Sequence, residues 1–298
     1  MRVSTSQTYQ RSLSLMSNLS AKADLQQSQI ASGKKVMAPS DDPGAYRQLA
    51  GIKRAEAGDQ AYAANVETAQ GILEQSDDTL GNIEAQLQRA TELFTNAGND
   101  TLSPSDRDTI GKELDSIRDT LFALANTRDS RGQPLFGGAT GDLPFTKAPD
   151  GTITYVSSGE PAGIPIGDQT VIQVGVTGDR AFASGSSDIF AVIAAFTTAL
   201  GSGGDIRAAA STAAAGTSEA LVNVTLAHAS VGARGTRLEM VADQLGYAAT
   251  ARDDARSKVE DVDLAATISE FQQTLTVLQA TQASFTKLTA LSLFDYLR

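Results

Sequence analysis

Apolar residues recur at helical spacing along most of the 298-residue chain, and the polar residues between them mark where each helix starts and stops. From Tyr9 onward, Leu13, Met16, Leu19, Ala23 and Ile30 fall on one stripe, with Arg11, Lys22 and Asp24 off it. The spacing predicts an amphipathic helix over about Ser4–Ser32. Gly33 supplies the left-handed residue that ends it, and Lys34 and Lys35 sit where cations favour the negative end of a helix dipole. Ser40-Asp41-Asp42-Pro43 is a start signal, combining side-chain caps, negative charge at a helix N-terminus and a proline tolerated in the first turn. The helix it opens runs from Pro43 to about Ala97. Its Leu73, Leu80, Leu87 and Phe94 keep heptad spacing, which demands other long helices to pack against. Ser103-Pro104-Ser105-Asp106 opens another, with Ile110, Leu114, Ile117, Leu121 and Leu124 along its seam.

Between Gly132 and Ser187 the pattern breaks, because this stretch holds 11 of the 26 glycines and 5 of the 8 prolines. Thr152–Val156, entered by the Asp150-Gly151 turn, and Thr170–Val174 read as short strands. Helical pattern returns at Asp188, and a helix between about Thr217 and Arg256 places Val224, Val231, Leu238 and Leu245 seven apart. A last helix, Val262–Tyr296, would be roughly 52 Å long at about 1.5 Å per residue. The fold class is mainly α: long coiled-coil-like helices from both chain ends, a helical bundle and a small inserted β domain. The expected division is 1–42 with 257–298 as terminal assembly helices, 43–131 with 188–256 as the bundle, and 132–187 as the insertion.

The three bundle stripes can bury one another, whereas the first and last helices close only a two-helix unit that leaves apolar surface uncovered. The expected assembly interface is therefore Leu13, Met16, Leu19 and Ile30 with Leu264, Ile268, Phe271, Leu275, Leu278, Phe285, Leu288 and Leu291.

Composition narrows the chemistry. A net charge of −11, from 24 basic and 35 acidic residues, repels phosphate backbones and argues against nucleic acid as a partner. Hydrophobic residues at 41% and charged residues at 20% fit neither a disordered chain nor a membrane protein. No run reaches the length of a membrane span or a signal peptide, so no membrane partner is expected. Without cysteine, and with His228 as the one histidine, thiolate and multi-histidine metal centres and cysteine nucleophiles are excluded, and no cofactor is implied. Ser32-Gly33-Lys34-Lys35 imitates the tail of a phosphate loop but has serine at position 28 where glycine is required, and lysine where a magnesium-binding hydroxyl belongs. Asp41-Asp42 is better explained as helix-start charge than as a catalytic pair, and His228 as a satisfied or half-exposed bundle residue.

Several strings together resemble the bacterial flagellin superfamily. They are Gly33-Lys34-Lys35-Val36, Pro39-Ser40-Asp41-Asp42-Pro43, Leu135-Phe136-Gly137-Gly138, Val231-Gly232-Ala233-Arg234 with Leu238-Glu239, and the ending Leu291–Leu297. The resemblance covers about residues 1–135 and 205–298 and leans toward the members found where hook meets filament. It implies a non-enzymatic, extracellular flagellar subunit, either an adapter joining a hook-side junction protein to flagellin or flagellin itself. It further implies a ring of copies of the chain, passage through the flagellar type III export apparatus and an export chaperone.

Overall fold

The computed structural model describes residues 2–99, 102–182 and 188–296. Its elements are helices α1 (Arg2–Ser32), α2 (Pro43–Ala97) and α3 (Pro104–Ala125), strands β1 (Phe145–Lys147), β2 (Ile153–Tyr155), β3 (Ile164–Gly167) and β4 (Thr170–Ile172), and helices α4 (Gly178–Phe182), α5 (Ile189–Ser202), α6 (Ile206–Glu260) and α7 (Leu264–Tyr296). They fall into two compact units, 58–247 and 1–57 with 248–298.

The 58–247 unit contains one continuous apolar core. Leu73, Leu80, Leu87 and Phe94 of α2 are buried there with Leu114, Ile117 and Leu121 of α3 and Val224, Val231 and Leu238 of α6. The heptad residues thus face inward and bury one another. Capping fixes where α3 begins: the Ser103 hydroxyl accepts from the Asp106 N–H, while the Asp106 carboxylate accepts from the Ser103 N–H. α5 begins at Asp188, whose carboxylate accepts from the N–H groups of Phe190 and Ala191, and it ends at Gly203 in the left-handed region. It packs on α3, and Phe196 meets Phe94 edge to face at 4.8 Å.

The glycine- and proline-rich stretch forms two antiparallel hairpins, β1–β2 with Phe145 opposite Tyr155 and β3–β4 with Ile164 opposite Ile172. Phe145, Ile153, Ile166 and Ile172 project into the same core as the helices, so the β region completes this unit's interior. The Asn126 side chain anchors it by bonding both the N–H and the C=O of Phe145 at 3.1 Å. Arg234 of α6 donates to the carbonyls of Gln173 and Gly175, just beyond β4. Those bonds give the Val231–Arg234 string a structural purpose.

Several boundaries differ from the periodicity: α6 ends at Glu260 rather than Arg256, α7 begins at Leu264 rather than Val262, the two expected strands shorten to β2 and β4, and two further helix starts move. α1 begins at Arg2 rather than Ser4, and α6 at Ile206 rather than near Thr217. The segment that periodicity omits is rich in alanine, which favours helix without marking a face.

Candidate assembly surface

In the unit formed by 1–57 and 248–298, α1 and α7 pack against each other. Among the described residues, the buried side chains along that pair are small or polar: Ala23 and Gln26 on α1, Thr267 and Thr274 on α7. Gln26 donates to the Glu270 carboxylate at 3.2 Å, and Tyr9 meets the Phe285 ring at 4.9 Å. The long apolar side chains lie on the flanks. Leu13, Leu264 and Ile268 are exposed, while Met16, Leu19, Ile30, Phe271, Leu275, Leu278 and Phe285 are half-buried. The side chains of Leu288 and Leu291 lie outside the described residues. Among the described residues of this unit, the buried apolar side chains are Ala23, Val36 and Leu49. That is far too little apolar burial to hold long helices by the hydrophobic effect. The stripe reading missed Leu15, Leu25 and Val277, which are also exposed and widen the apolar surface beyond one face. Their signal is visible in the sequence as leucines and valine off the main seam.

The turns beside this pair are tightly built. Gly33, at φ 71°, ends α1, and its carbonyl accepts from the Val262 N–H at 3.0 Å. Asp41 accepts from the N–H groups of Met37 and Ala38, closing the connector, and Asp42 caps α2 by accepting from Gly44 and Ala45. Those backbone donors hold both carboxyls below the usual range, Ala38 then Met37 at Asp41, and Ala45 then Gly44 at Asp42. Ser40 lies beside Asp41 at 3.5 Å, and Pro43 takes the first helical position. The four residues thus form a helix start.

At the other turn, Glu260 is buried with Lys34 at 2.7 Å, Lys53 at 3.7 Å and Arg256 at 3.9 Å. The Lys34 hydrogen bond is the main cause of a lowered Glu260 pKa, and the charges of Lys53, Lys34 and Arg256 reinforce it against burial. The Glu260 carbonyl also accepts from the Lys35 N–H at 2.6 Å. Periodicity could not find this clasp, because Lys34 and Glu260 are 226 positions apart.

His228 is half-buried in the other unit, with Nε2 at 2.7 Å from Asp77 and Nδ1 at 3.4 Å from Glu84. Asp77 and Glu84 lie two turns apart on α2, so the ring joins α6 to α2. Among the described residues no group of histidine and carboxylate side chains is placed to hold a metal ion, and no helix is long and apolar enough to cross a membrane.

Comparison with known proteins identifies this architecture. Residues 3–140 match the bacterial flagellin N-terminal helical region, and residues 215–297 the bacterial flagellin C-terminal helical region. Flagellar hook-associated protein 3 of Escherichia coli is 32% identical over 99% of both chains. The flagellin of Bacillus subtilis is 23% identical over 95% of this chain and 94% of its own. Among solved structures, a flagellar hook-associated protein from Vibrio parahaemolyticus superposes with a TM-score of 0.70 at 19% identity, covering 74% of this chain and all of that one. The flagellar junction protein of Legionella pneumophila does so at 0.57 and 17% identity, covering 65% of this chain and 99% of its own. With both helical regions matched and a full-length likeness to hook-associated protein 3, the chain belongs to the bacterial flagellin family, among its hook-associated members.

Proposed function

We propose that the chain is a structural subunit of the bacterial flagellum, an adapter at the hook–filament junction that joins a hook-side junction protein to flagellin. The observation that carries this reading is the end-to-end likeness to hook-associated protein 3, against the weaker likeness to flagellin. The terminal helix pair, whose described long apolar side chains are exposed or half-buried on its flanks, suits a subunit completed by its neighbours. In this reading the copies form a ring outside the cell, and the chain does no enzymatic work. It reaches its place through the type III export apparatus, escorted by an export chaperone.

The test is deletion of the gene from a flagellated strain that has no second copy. Complete hooks without filaments, with flagellin released into the medium, are expected. Normal filaments would move the chain to a minor filament subunit and defeat the junction role.

A further inference from the structure

The 58–247 unit carries a second apolar stripe, separate from the terminal helices. On α6, Val222, Leu226, Ala229, Ala233, Met240 and Tyr247 follow coiled-coil spacing, yet all are exposed, Leu226 by 64% and Tyr247 by 79%. Seam spacing on a face that the chain leaves open fits another helix as its occupant.

Further round α6 from that stripe, Gly232 and Gly235 lie mid-helix with ordinary helical backbone, and a Cβ at either would meet no atom within 4 Å. Packing within the chain therefore does not require glycine there, although glycine weakens a helix relative to alanine. The missing side chains leave room for close approach from outside. Together with α2 they line a groove of about 440 Å³ that carries Glu74 and Glu239, with Asp77 already met by His228, so its occupant should be basic.

A matching surface exists on the same chain. At the start of α2, Arg47, Gly51 and Arg54 keep the same four-then-three spacing on an exposed face, and a Cβ on Gly51 would also meet nothing within 4 Å. Tyr46 is exposed beside them. At a net charge of −11, copies of the chain repel one another unless acidic surface on one is answered locally by cations on the next.

We propose that the α6 groove receives the Arg47–Arg54 segment of α2 from a second copy. Gly51 lies over Gly232 and Gly235, and the two arginines face Glu74 and Glu239. The proposal rests on the reading of the chain as a subunit that assembles with copies of itself.

The test expresses full-length Arg54→Glu, Glu239→Arg, the double charge swap and Gly232→Ala/Gly235→Ala in a flagellated strain lacking its own copy. Recovery in purified flagella is compared with release into the medium, and each soluble chain is melted. Each single reversal should lower recovery about tenfold with an unchanged melting midpoint, and the swap should restore it. The glycine variant should melt higher than wild type and still assemble poorly, a pair of effects that misfolding cannot produce. Single reversals that assemble normally, a swap no better than its parents, or a glycine variant that incorporates fully would each overturn the proposal while leaving the junction role standing. A wild-type chain that never enters the flagellum would defeat the junction role itself, and this surface with it.

Discussion

At Glu260 three cations converge on one poorly hydrated carboxylate, and the result is a pH-dependent fastening between two turns that lie far apart in sequence. Its pKa is lowered in the folded chain, so its stabilising contribution is fully present above the ordinary glutamate range and is lost as pH falls through the depressed value. Melting wild type beside Glu260→Gln should therefore show a gap at neutral pH that closes in acid. A constant gap would mean that the carboxylate's charge is irrelevant. Leu114 works differently, since it is fully buried between helices and contributes by packing. Leu114→Ala should lower stability by about 2 to 5 kcal/mol, measured by denaturant unfolding of the soluble chain. The two residues also differ in legibility. Leu114 announces itself through spacing with Ile110, Ile117 and Leu121, whereas nothing near Glu260 in sequence reveals Lys34 as its partner.

The long helices are the elements that the sequence displays best, because a seam repeated over many turns accumulates signal. The span of α2 and the starts marked by Ser103 and Asp188 all agree with the structure. The hairpins were half legible. β2 and β4 carry β-branched residues, but β3 contains Pro165 and β1 ends in Lys147, so three- or four-residue strands gave too few positions for a pattern. The terminal helices show a further limit, since spacing finds a stripe without saying who covers it. Leu264 and Ile268 lie at the start of α7, after an Asp263 cap, and both are exposed. Leu264→Asp with Ile268→Asp should shift the soluble chain's stability by no more than about 0.5 kcal/mol, since new acids near a helix N-terminus are tolerated. Incorporation into flagella should fall sharply, read by the amount recovered in purified filaments. A large drop in the monomer's melting midpoint would instead place those residues in the chain's own interior.

Across the whole molecule, apolar burial is distributed very unevenly. The 58–247 unit holds a contiguous core built from α2, α3, α5, α6 and both hairpins, while the described apolar side chains that the unit of the two chain ends buries are Ala23, Val36 and Leu49. Ordering the backbone of two helices of more than thirty residues each demands more than that. We propose that the middle of the chain folds by itself and that the ends gain their stability from neighbouring subunits. Native-state hydrogen exchange on the soluble full-length chain, followed by the same measurement on assembled flagella, tests it most directly. Strong protection is expected for amides in α3 and in the buried stretches of α2 and α6, with rapid exchange along α1 and α7 in the soluble chain and slow exchange there after assembly. Amides of α1 and α7 that are already protected as strongly as those of α3 in the soluble chain would contradict it.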